Sequence, residues 1–278
     1  MKNLSERALL VNIKISQWTG KKYDKKVSQE IEKEHNAHDA GRFNKTLIAE
    51  KGLKDIKAIA SQVRSFHYDN TLPWGDNGDR LLPVTNYFEF GNKMRVFTSQ
   101  FNEAVKVFIR DYDNYKGEAK IRLNGMFQES DYPNIHDMQQ KFGIGFDFIA
   151  ISDLEDFRLE VDQNEVSALK QQMEERIKDQ ISTATKNIWE RMKEAIGHMV
   201  DKLSDKDAIF RDSLVTNIQD LIDVLPRLNI TEDKEIDRTI ESMRELLVDP
   251  DLLRTNSRTR QKKAKEAKLI LDKINDFL

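Results

Sequence analysis

The sequence predicts a mainly α protein, in which a small α+β amino-terminal domain precedes a long-helix hairpin or bundle. Three observations predict it. From Asn164 to Leu203 apolar residues recur every three or four positions with no intervening proline, the spacing of one face of a single helix. Leu9, Val11, Ile13 and Ile15 alternate with Asn12, Lys14 and Ser16, the period of a half-buried strand. Most other segments carry apolar stripes at helical spacing, punctuated by glycine or proline. The pattern changes near residue 160. Residues 1–160 form the mixed, mainly helical domain and 161–278 the antiparallel bundle or coiled-coil hairpin.

The totals bound the class. Hydrophobic residues at 38% beside 33% charged residues describe a helix-rich chain with a solvated surface. The net charge of −3 exerts no global pull on nucleic acid or acidic membrane, so such binding needs a local patch. Cysteine is absent, which excludes disulfides, thiolate metal sites and a cysteine nucleophile. Met1 to Arg7 is polar, and no stretch approaches the ~20 apolar residues of a membrane span. A cytoplasmic protein is expected.

Taken in order, Leu9 to Trp18 is the strand, ended by Thr19-Gly20. A basic run around Tyr23 leads into a helix through Val27, Ile31 and Glu34. Gly41 interrupts it, a helix resumes at Phe43, Leu47 and Ile48, and Gly52 separates that from a helix carrying Leu53 to Val63 and ending near His67. Asn86 to Phe90 reads as a strand or a helix start. Phe97, Phe101, Val105 and Phe108 line a core helix, and Asp111 to Gly117 is a turn or frayed end. Ile135 to Phe142 is a short helix, and Phe146–Ile151 and Asp156–Val161 are strands. Beyond the long helix, Ser204-Asp205 turn the chain into a return helix with Ile209, Phe210, Leu214 and Ile218 that stops at Pro226. A third helix carries Ile236 to Leu247 and ends before Pro250, and a last one runs from Arg258 to Phe277.

One stretch stands apart, Thr71-Leu72-Pro73-Trp74-Gly75-Asp76-Asn77-Gly78-Asp79-Arg80-Leu81-Leu82-Pro83. It holds two of five prolines and one of three tryptophans, so its backbone is shaped rather than loose. Two readings of Trp74 and Arg80 stand side by side. Either Trp74 anchors the loop in the core while Arg80 pairs with a carboxylate or caps helix carbonyls, or both project as hot spots for a partner.

Trp18-Thr19-Gly20-Lys21-Lys22, Thr71-Leu72-Pro73-Trp74, Gly78 to Pro83, Asp131-Tyr132-Pro133 and Asp156-Phe157-Arg158, in that order, carry a resemblance. The chain resembles a family of uncharacterised proteins in tailed phages and integrative mobile elements. Its members are often encoded beside a MoxR-type AAA+ ATPase and a von Willebrand factor A-type protein. The resemblance covers most of the chain and is most specific at Thr71–Pro83. It implies a setting and an ATPase partner, and no catalytic residues.

Motifs with familiar chemistry are incomplete. On a helix, His35, His38 and Asp39 would share a face, yet a closed metal site needs further ligands. His136-Asp137 is explained by a helix amino terminus after Pro133. Asp111-Tyr112-Asp113-Asn114 lacks the later ligands of a calcium loop. Gly143-Ile144-Gly145 lacks the third glycine of a dinucleotide loop, and no phosphate loop or nucleophile elbow is present. No metal, cofactor or catalytic residue is assigned.

The sharpest charge feature is Arg254, Arg258, Arg260, Lys262, Lys263, Lys265 and Lys268, opposed there only by Glu266. It is either a phosphate-binding helix or a solvated face paired with Glu232-Asp233, Glu235 and Asp237, the reading favoured here. Lys21, Lys22 and Lys25 with Tyr23 and Trp18 form a second aromatic–basic surface suited to single strands. The sequence therefore points to a non-enzymatic adaptor or assembly protein acting through protein partners, an ATPase or a second copy of itself. The alternative is a nucleic-acid-binding accessory factor for phage replication, recombination or counter-defence.

Overall fold

The computed structural model describes residues 4–75, 77–151 and 163–278. In chain order, helix α1 (Leu4–Arg7) leads into strand β1 (Ala8–Ser16), β2 (Lys21–Tyr23), α2 (Lys25–Glu34), β3 (Asn44–Thr46) and α3 (Glu50–Asp69). The hairpin β4 (Leu72–Pro73) and β5 (Arg80–Pro83) follows, then α4 (Tyr87–Arg110), α5 (Tyr112–Leu123), α6 (Ile135–Gln139) and β6 (Gly143–Ala150). The remaining elements are α7 (Gln163–Ser204), α8 (Ser213–Leu228), α9 (Lys234–Arg244), α10 (Pro250–Thr255) and α11 (Ser257–Asn275). The protein is mainly α with a small α+β part. One sheet has the order β4-β5-β1-β6, and β2 and β3 make a second.

Among the described residues the chain forms two compact units. One is drawn from Met1–Asn12, His67–Phe90 and Asp147–Leu278, the other from Ile13–Phe66 and Gly91–Phe146. This division does not follow a linear split near residue 160. The cause lies in pairing: β5 is antiparallel to β1, with Leu10 opposite Leu81 and Val11 opposite Arg80, so the first strand and the loop group with the carboxy-terminal helices.

In the first unit α11 runs along α7, and α8 packs on α7 and α9. Their stripes bury Met192, Ile196, Ile222, Ile240 and Ile270 in one cluster with Leu72 and Leu81. Trp189 stacks on Phe277 at 4.3 Å and 7°. In the second unit Leu47, Ile56, Phe101, Phe108 and Met138 form the core, and Trp18 meets Tyr112 edge-on at 6.2 Å.

Several elements differ from expectation. No helix forms at Phe43–Ile48. Residues 44–46 pair with β2, Lys21 opposite Thr46 and Tyr23 opposite Asn44, and Leu47 N–H turns onto the Gly20 carbonyl at 2.8 Å. Gly52 does not separate helices but sits in the first turn of α3. A Cβ there would lie 3.0 Å from Ile48 and 3.3 Å from the Tyr115 ring, so the glycine serves close packing. Tyr112–Leu123 is a full helix rather than a frayed end, and Asn86–Phe90 resolves as the entry to α4.

α8 begins only at Ser213, which leaves Ile209 outside it and 91% exposed. It runs past Pro226 to Leu228 because proline forfeits one bond, while Asn229 N–H still reaches the Leu225 carbonyl at 3.1 Å. Leu247 lies beyond α9. The strand expected at Asp156–Val161 lies outside the described residues, as does Asp76 of the loop.

Candidate functional site

The segment between His67 and Phe90 is assembled around the carboxy terminus of α3. A helix end leaves its last carbonyls without intrahelical donors. Here side chains supply them. Thr71 Oγ1 donates to the His67 carbonyl at 2.5 Å. Arg191, arriving from α7, donates to the carbonyls of Tyr68 (2.8 Å), Asp69 (2.8 Å) and Thr71 (2.7 Å). Asn86 Nδ2 donates to the Asn70 carbonyl at 3.1 Å. Arg80 Nε donates to Thr71 Oγ1 at 2.7 Å, its Nη2 to the Thr71 carbonyl at 3.1 Å, and its guanidinium lies 4.7 Å from the Tyr68 ring centroid.

Cationic charge is thus gathered against carbonyl dipoles. Burial first, and Arg80 second, bring the Arg191 pKa down to about 10, with Asp69 opposing. Burial also lowers that of Arg80. His67 is buried, its Nδ1 has no hydrogen-bond partner among the described residues, and burial with the Arg80 charge lowers its pKa to about 4. The imidazole is therefore neutral at physiological pH. Burial raises the Asp69 pKa against the pull of Arg191.

The loop tip is held as well. Asn12 Nδ2 and Asn77 Nδ2 donate to the two Asp79 oxygens at 3.0 and 2.7 Å, and Gly78 takes φ +88°, a conformation that favours glycine. Trp74 is half-buried against the main cluster. So Arg80 spends its donors on the loop itself, and Trp74 shows only part of its surface. Other side chains of the segment are the open ones: Tyr68 is 55%, Val84 44% and Phe88 77% exposed.

The basic run divides. Arg260 donates to the carbonyls of Lys202 (2.9 Å), Leu203 (3.3 Å), Asp205 and Ala208 (3.1 Å), closing the end of α7. Arg254 pairs with Asp212 and with Asp251 at 2.6 Å, and both guanidiniums lie over Phe210. Lys263 donates to the Glu245 carbonyl and to Glu266, each at 2.7 Å, and Lys262 is 3.7 Å from Glu266. Arg258 and Lys265 are exposed and make no such contact among the described residues. The acidic partners are mostly not those expected: Glu232 meets Arg7, Asp233 caps α9, Asp237 accepts from Asn229, and among the described residues only Glu235 of the four pairs with the terminal helix, through Lys273.

Sequence reasoning passed over one charged cluster. In the second unit the buried Lys45 Nζ lies 2.6 Å from Asp131 and 3.2 Å from Asp24, and donates to the Met126 carbonyl at 3.0 Å. Lys22 completes it at 2.7 Å from Asp131. Burial opposes charge on Lys45 and Asp131, but their contacts outweigh it, so the lysine pKa is raised and that of Asp131 lowered. The Asp131-Tyr132-Pro133 break was the one visible signal.

His35 ends α2, and Asn36 and Asp39 have positive φ, so residues 35–39 share no helical face. Among the described residues no group of three or more His, Asp or Glu is placed to hold a metal. No helix among the described residues is long and apolar enough to cross a membrane. No protein-family model, curated protein or solved structure matches the chain.

Proposed function

We propose that this chain is a non-enzymatic adaptor or assembly protein of phage or mobile-element origin that works through protein–protein contacts. One observation carries the reading. In the segment 67–90 Thr71, Arg80 and Asn86 are committed to internal hydrogen bonds and Arg191 of α7 holds its carbonyls, while Tyr68, Val84 and Phe88 stay exposed upon it. A fixed backbone that displays aromatic side chains loses little entropy on binding, and aromatic anchors dominate interface energetics. The family resemblance at Thr71–Pro83 names a MoxR-type AAA+ ATPase as the first partner to try.

The test is affinity purification of the tagged chain from its carrier cell, with and without nuclease, beside a Phe88→Asp variant. A stoichiometric protein that survives nuclease and is lost with Phe88→Asp supports the adaptor. Partners that vanish with nuclease and depend on Arg258 and Lys265, exposed cations of the basic run without internal contacts among the described residues, favour the nucleic-acid-binding accessory factor instead.

A further inference from the structure

The long helix α7 changes its surroundings halfway along without changing its pattern. Val166, Ile177, Ile188 and Met199 stand at intervals of eleven residues, and so do Met173, Ala184 and Ala195. A repeat of ~11 residues in three turns keeps all of them on one face. From Ala184 onward this face is buried against α8 and α11. Between 165 and 181 no side chain is fully buried: Leu169 is 37% exposed, and Val166, Met173, Ile177 and Ile181 are half-buried. The stripe continues for about 25 Å at 1.5 Å per residue with no covering element among the described residues.

The charges beside the stripe say what fits it. Glu165 and Arg176, eleven residues apart, flank one edge, and Lys170 and Glu174 flank the other. None of the four makes an ion pair among the described residues. Two antiparallel copies bring like edges together. With Val166 set against Ile177 of a second copy, Leu169 meets Met173 of that copy. The same register places Glu165 beside Arg176 and Lys170 beside Glu174 across the interface. Two-fold symmetry then repeats each pair, so all the flanking charges find opposite partners. A parallel pair stacks Met173 on its own copy and leaves Arg176 and Glu174 unmatched. The pattern is self-complementary in one direction.

We infer that residues 165–181 of α7 form an antiparallel, two-fold self-association surface, and that the partner seated on it is a second copy of this chain. The inference deepens the adaptor reading and rests on it, because it names one of the partners. An overlap this short belongs with weak, reversible interfaces.

The experiment is sedimentation equilibrium of the full chain from about 1 μM to about 1 mM, a span suited to weak complexes. Reversible dimerisation is expected. Met173→Glu should raise the dissociation constant by about tenfold or more, since it puts a charge into the desolvated stripe, with an unchanged far-UV spectrum. Should that variant not fold, Arg176→Glu alone must weaken the dimer, and Arg176→Glu with Glu165→Arg must restore it. The direction is read separately. Because the chain has no cysteine, a mixture of Val166→Cys and Ile177→Cys chains should oxidise to the mixed disulfide.

A monomer at every concentration, or a dimer indifferent to Met173→Glu and to the charge swap, would overturn the proposal. Like-with-like disulfides would overturn the antiparallel arrangement. A monomer that still holds a protein partner through Phe88 would defeat this inference while leaving the adaptor reading intact.

Discussion

Arg80 and Arg191 both donate to the carbonyl oxygen of Thr71, at 3.1 and 2.7 Å. Two cations on one carbonyl are tolerated because α3 ends there and its dipole presents partial negative charge. The pair joins the hairpin to α7, so the loop is fixed by a residue far away in sequence. Replacing Arg191 by Ala takes a donor from the carbonyls of Tyr68, Asp69 and Thr71 at once, and leaves that of Thr71 with Arg80. Unfolding in urea should show a loss of about 2–3 kcal/mol, since three charge-assisted hydrogen bonds to the end of α3 are lost together. Arg80→Ala removes fewer contacts and should cost about 1–2 kcal/mol. Equal losses would mean that the loop is not held in this order.

His67 makes stability depend on pH in a defined window. Its pKa is about 4 in the fold against 6.5 for an ordinary histidine, so the unfolded chain binds the proton more readily. The sign follows. Stability is full above pH 6.5 and falls as pH drops from 6.5 towards 4. At pH 5 the loss should reach about 2 kcal/mol. His67→Phe should flatten that slope in urea titrations at pH 7.5 and pH 5. A slope that persists would place the responsible proton elsewhere.

The Lys45–Asp131 contact should be among the costliest to break. Lys45→Met leaves Asp131 buried with Lys22 as its remaining partner, and a loss of about 3–5 kcal/mol is expected. Lys45→Met with Asp131→Leu should recover a large part of it, because no charge is then left buried. A double-mutant cycle measures the recovery, and additive losses would show the contact to be incidental. Since the Asp131 pKa is depressed, its contribution is present above the ordinary carboxylate range and disappears as pH falls through the lowered value.

The sequence pattern made the helices legible wherever a stripe was long. α7 could be read nearly to its ends, because a proline-free apolar period over so many residues admits no other element. β2 and β3 could not, since three residues are too few to alternate and Phe43, Leu47 and Ile48 imitate a helical spacing. The site was half legible. Arg80 announced itself through the unusual loop around it, whereas Arg191 sits on α7 among other charged residues and gives no local sign of burial. Lys45 is the same case. What buries a charge is a partner from elsewhere in the chain, and one-dimensional spacing does not record it.

The carboxy-terminal basic run separates structure from binding residue by residue. Arg260 closes the end of α7 through four carbonyls, so Arg260→Ala should cost about 2 kcal/mol in stability. Its loss would confound any binding assay. Arg258 and Lys265 make no such contact among the described residues. Alanine at both should leave stability within about 0.5 kcal/mol, which makes that double variant the clean probe of nucleic-acid binding. If the run engages phosphates, the double variant should bind DNA more weakly at every salt concentration. The slope of log affinity against log salt should fall by about 1–2. If wild type and variant both fail to bind, the basic residues are accounted for by the bundle they hold together. The Arg258→Ala, Lys265→Ala chain should then retain whatever protein partner the wild type has.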